Sequence, residues 1–165
     1  MDFLQPTFRG PALVEPSKGI RVAQTIWFGL ILGLLTFFMV TLTVPAKSNG
    51  QMLSIIGVGA AMFQIAMRFV IPGFIKRAQI QKLTITESAN LDAQLFAIFQ
   101  TQLIVGLALL EGAGFFNLVC YMAEHQWWTL AILALLVLLM GMMFPTLGQF
   151  ESWAENEKRE LQNRF

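Results

Sequence analysis

Four apolar runs, each long enough to cross a lipid bilayer, constrain this chain more than any motif in it. A helix rises about 1.5 Å per residue, so about 20 mostly apolar residues cross a hydrocarbon core about 30 Å thick. The runs fall at about residues 25–44, 52–71, 95–122 and 128–144. Backbone groups find no water in lipid, so such segments must satisfy their hydrogen bonds internally, as helices. The pattern predicts an all-α fold: an integral membrane four-helix bundle with a C-terminal amphipathic interfacial helix. Charge content agrees, because only 13% of the 165 residues are charged, against about 25% in soluble globular domains.

Punctuation sets the expected limits. Pro45 closes the first run, Pro72–Gly73 the second and Pro145 the fourth,. The first run is too long for a signal-peptide core of about 7–15 residues. Thr84 and Glu87 have capping-box spacing, so the third helix is expected to start in water,. Residues 1–22 read as an irregular, proline-rich cytoplasmic arm. Residues 146–165 read as an amphipathic tail, with Phe150, Trp153, Ala154 and Leu161 on one side,. That tail suits the surface of the inner leaflet. A solvated helix is its plainer alternative.

Basic residues orient the spans. Arg9, Lys18 and Arg21 precede the first, Lys76, Arg77 and Lys82 lie between the second and third, and Lys158, Arg159 and Arg164 follow the fourth. The opposite side offers only Lys47, beside a short loop with Glu124 and His125. The positive-inside rule then places both termini in the cytoplasm. Trp127 and Trp128 mark the outer interface and Trp153 the inner one,. Arg68, Lys76 and Arg77 fall at the cytoplasmic headgroups, where a long basic side chain can snorkel.

One residue breaks the apolar pattern. Glu111 stands 13 residues before Glu124, about 20 Å along a helix, near mid-bilayer. An ionised carboxylate there costs at least about 2.5–3.5 kcal/mol, so the neutral acid is the favoured form. Gln64 lies 13 residues after Gln51 and so shares that depth. Its amide is a candidate partner for the acid. Gln100, eleven residues before Glu111, shares its helix face and extends a polar track. Small residues permit close helix approach: Gly57 and Ala61 in the second span, Ala108 and Gly112 in the third, and Gly29 and Gly33 in the first,.

The segment TQLIVGLALLEGAGFFNLVCYM, residues 101–122, resembles the second helix of the rotary ATP synthase c subunit. The common elements are a small-residue run, an AL-x-E element, then small and aromatic residues before Leu-Val. The second span resembles that family's first helix more faintly, through GVGAA and through Arg68 and Pro72. The resemblance implies that Glu111 carries an ion and that Gln64 stands beside it. It favours a proton over sodium, because Gly112 holds the place of the hydroxyl residue found in sodium-binding members. Taken whole, the chain is similar to small four-span bacterial membrane proteins.

Several function classes fall away. No nucleophile–base pair, phosphate-binding glycine loop or second intramembrane acid is present, so an enzyme is not expected. One histidine and one cysteine make no metal site, and no cofactor is implied,. A net charge of +1 gives no basic surface for nucleic acid,. The sequence reads as a multi-pass protein of the bacterial cytoplasmic (inner) membrane. Its expected role is a non-enzymatic structural or accessory subunit, partnered by lipid and by copies of itself or a membrane complex. The alternative is a c-subunit-like proton-translocating module working through Glu111. For Glu111 itself, a protonated helix-packing role competes with proton carriage.

Overall fold

The structure, a computed structural model, describes residues 16–45, 50–80 and 88–162. The capping box at Thr84 and Glu87, the arm before residue 16 and the loop lysines Lys47 and Lys82 lie outside those residues. Five helices follow one another: α1 Pro16–Thr41, α2 Met52–Ile80, α3 Ser88–Glu124, α4 Trp127–Met142 and α5 Leu147–Gln162. The described residues contain no strand.

α3 is the axis. It packs against α1, α2 and α4, whereas α1 and α2 make no substantial contact with each other. Its apolar window is 44% buried, against 11% and 17% for those of α1 and α2. The central core joins Leu34 of α1, Ala61 of α2, Leu107, Leu110, Ala113 and Leu118 of α3, and Leu133, Leu136 and Met140 of α4. The outer faces stay apolar: Phe28, Leu32, Phe63, Phe69 and Leu138 are all exposed.

Two expectations about the elements change. Pro72 does not end α2, which runs on to Ile80 with the proline inside it. A mid-helix proline removes one backbone bond, here that of the Arg68 carbonyl, at about 3 kcal/mol. The turns beyond it are anchored by the Lys76–Glu157 ion pair to α5. α1 begins at Pro16, so part of the expected irregular arm is helical. Proline suits a first turn, where its missing N–H has no partner in any case.

The number of spans is three or four. α1, α2 and α3 are each long and apolar enough to cross a bilayer, but α4 has only 16 residues. It adds a fourth span only when joined with α5, to which it is bent by 71°. Pro145 lies just past the end of α4, and two carbonyls of this stretch accept from α1. The Gln24 amide donates to the Pro145 carbonyl at 3.0 Å, and the Trp27 indole N–H donates to that of Met140 at 2.7 Å. α5 then starts with a capping box. The Thr146 hydroxyl accepts from the Gln149 N–H at 3.3 Å, and the Gln149 side-chain oxygen accepts from the Thr146 N–H at 3.4 Å,.

The apolar face of α5 turns inward, onto the protein. Phe150 and Ala154 are buried with Ile20 of α1 and Leu95 and Phe96 of α3, with Trp153 at the edge of the cluster. Gly19 makes this possible: a β-carbon there would lie 2.3 Å from the Phe96 ring. A second ion pair, Lys158 to Asp92 at 2.5 Å, ties α5 to α3.

Candidate functional site

Glu111 lies on α3, half-buried, and turns toward α1. Its Oε1 is 3.8 Å from where a β-carbon on Gly33 would stand. Gln64 reaches α3 from the other side: its Oε1 is 3.4 Å from the β-carbon position of Gly112. Glu111 and Gln64 thus meet neighbouring positions on α3's surface. Among the described residues, no hydrogen bond joins them and none reaches either side chain. Gln100, half-buried three turns earlier on α3, is likewise not linked to Glu111. The pairing expected from equal depth is not made, because Gln64 packs over Gly112 and not over Glu111.

Between α1 and α2, a stripe of α3 remains open. Ala108, Gly112, Phe116 and Val119 are exposed along it, at spacings of three and four residues. Residues at those spacings share one helix face. Glu111 and Gln64 border this seam near its middle. Gly29 also opens onto free space, with nothing within 4 Å of its β-carbon position. The remaining small residues differ in role. Gly57 is closely covered, its β-carbon position 2.9 Å from Cys120 Sγ, and Ala61 is buried.

Glu124 has a role that local sequence signals do not show. It ends α3, is buried, and accepts two backbone N–H bonds from the first turn of α2: Leu53 at 2.9 Å and Ser54 at 2.8 Å. The first N–H groups of a helix have no partner within it, and a carboxylate is the best side-chain acceptor for them. The same end holds two further ties. The Gln126 amide donates to the Gly50 carbonyl at 3.2 Å, and the Asn117 amide donates to the Gly57 carbonyl at 3.2 Å. His125 turns the chain from α3 to α4 at φ 51°, its ring stacked on Tyr121 at 4.9 Å. An acid next to a helix end would have been the signal, but the helix it caps lies about 70 residues away in sequence.

Arg68 reaches across to α3. It does not extend along its own helix but crosses α3 at Gly106, whose β-carbon position is 3.1 Å from its Nε. That Nε–H donates to Met143 Sδ at 3.0 Å. Lys76 pairs with buried Glu157. Trp127 is exposed, Trp128 is half-buried, and Trp153 packs beside Phe99 with ring centroids 5.6 Å apart. Among the described residues no cluster of His, Cys, Asp and Glu is suited to a metal ion.

Comparison with protein-family models, curated proteins and solved structures gives no match. It confirms no resemblance to the c subunit or to any other family.

Proposed function

We propose that this chain is a multi-pass protein of the inner membrane, with both termini cytoplasmic, acting as a non-enzymatic structural or accessory subunit. The open seam of α3 carries this reading. Small residues on an exposed helix face allow another helix to approach closely in lipid. An acid and an amide at mid-seam, without partners among the described residues, favour an occupant able to hydrogen-bond them. Interhelical hydrogen bonds of this kind contribute about 1 kcal/mol. The apolar outer faces of α1, α2 and α4 support the bilayer as surroundings,.

One substitution tests the seam. Ala108→Trp fills it without touching the core, because Ala108 is exposed. The chain is expected to stay folded in detergent but to lose its oligomer or its complex. Unchanged assembly of this variant would refute the reading.

A second reading, c-like proton carriage, is favoured by the unpaired state of Glu111. Reconstitution of the purified chain in liposomes separates the two. Structural use of Glu111 predicts no proton flux and near-normal assembly of Glu111→Gln, because an amide replaces a neutral acid's hydrogen bonds. Proton carriage predicts flux that Glu111→Gln abolishes, with labelling of Glu111 by a carbodiimide that varies with pH.

A further inference from the structure

At the joint between α4 and α5, a cleft of about 260 Å³ is lined by residues from four helices. Its polar groups are Arg68 of α2, Gln102 of α3 and Gln149 and Trp153 of α5. Among the described residues no carboxylate lines it. Glu111, five residues from Gly106 on the same helix, faces α1 instead. The two ion pairs seen among the described residues join Lys76 to Glu157 and Lys158 to Asp92, and leave Arg68 out.

The groups around the cleft donate more than they accept. Arg68 is a donor only, and the indole of Trp153 is a donor only. Gln149 has its side-chain oxygen committed to the α5 cap, which leaves its NH₂. Gln102 Nε2 is shut off from solvent with no hydrogen-bond partner. The acceptor found by the Arg68 Nε–H is a thioether, Met143 Sδ, among the weakest acceptors in proteins. A buried donor left unmet is costly, so this set is poised for a ligand rich in acceptor oxygens. The cleft has room for one, at the volume of roughly eight or nine waters of about 30 Å³ each.

We propose that this cleft binds a phosphate oxyanion, held by the Arg68 guanidinium and the Gln102 amide, with Trp153 and Gln149 at its mouth. Arginine suits the task because its planar fork matches two oxygens of one phosphate. Two sources supply that chemistry, the headgroup of an anionic phospholipid and free phosphate. Only the lipid source rests on the membrane reading above. Under that reading the cleft sits at the cytoplasmic end of the second span, beside Pro72, where headgroups lie.

The test uses the full chain purified in neutral detergent. Unfolding temperature is followed while inorganic phosphate, a short-chain phosphatidylglycerol or the matching phosphatidylcholine is added. A saturable rise with phosphatidylglycerol alone identifies a lipid site. A rise at equal concentrations of inorganic phosphate identifies a free-anion site, and appears whether or not the chain spans a bilayer. Arg68→Gln is expected to weaken binding by roughly 10- to 100-fold, the loss of charge-assisted hydrogen bonds. Gln102→Leu guards against a folding defect. It removes an unmet donor, so the unliganded protein should be no less stable, while binding falls about fivefold with the loss of one hydrogen bond. No rise with either phosphate compound, an equal rise with phosphatidylcholine, or a rise unchanged in both variants would overturn the proposal.

Discussion

Two glutamates on one helix, Glu111 and Glu124, have opposite surroundings. Glu124 is buried at the end of α3 and accepts two backbone N–H bonds from α2. Glu111, 13 residues earlier, is half-buried in an apolar stretch and has no partner among the described residues. The difference lies in what faces each. Glu124 meets a helix start, which has unmet donors by construction. Glu111 meets the middle of α1 at Gly33, where every backbone donor is already used within the helix. A carboxylate at a helix end is absorbed by the fold. One at mid-helix is not, unless a side chain or a second molecule reaches it.

The largest test of this contrast is Glu124→Ala. It strands one buried and one part-buried donor, and a buried unmet donor costs about 1–3 kcal/mol, so a loss of about 2–4 kcal/mol is expected in denaturant unfolding in detergent. Hydrogen exchange should show the first turn of α2 opening. A loss under 1 kcal/mol would mean that water replaces the carboxylate freely, and the contrast would fail.

Two glycines flank the Glu111 region and sharpen the same comparison. A β-carbon on Gly114 would stand 2.8 Å from buried Leu34. Gly114→Ala should therefore cost about 1–3 kcal/mol through overpacking. Gly112 lies on the open seam, 3.4 Å from the flexible end of Gln64. Gly112→Ala should be neutral or slightly stabilising, since alanine is favoured over glycine in a helix by about 1 kcal/mol. Equal losses at both positions would show that the seam is closed.

The smallest effect is expected at Glu111 itself. Glu111→Gln in the isolated chain should shift stability by under about 0.5 kcal/mol, because no intramolecular hydrogen bond is lost. A drop of 2 kcal/mol would reveal a partner within the chain and break the contrast from the other side.

Much of the helical layout was legible in the residues. Helix content, the turns near Pro45 and Pro145, and the apolar face of the tail all follow from local composition. Local signals failed where a distant element intervened. Pro72 reads as a stop, yet α2 continues because α5 supplies Glu157 to Lys76 beyond the proline. Phe150 and Ala154 read as a lipid-facing stripe, yet Phe96 and Ile20 cover them. At the candidate site, the oddity of Glu111 was visible in the sequence. The depth argument that joined it to Gln64 fixed position along the helix axis but not direction around it. Around the axis, Gln64 comes to Gly112 and Glu111 to Gly33.

Sequence alone determined that the chain is helical, that long stretches of its surface are apolar, and that one acid falls within such a stretch. These are properties of consecutive residues, set by backbone hydrogen bonding and by transfer of side chains out of water. Tertiary structure alone decided which polar groups are met. Glu124 finds α2, Gln24 and Trp27 find the carbonyls at the end of α4, and the Arg68 Nε–H finds a thioether. Hydrogen bonds are short and directional, so their partners are chosen by how helices rotate and cross, which no single helix encodes.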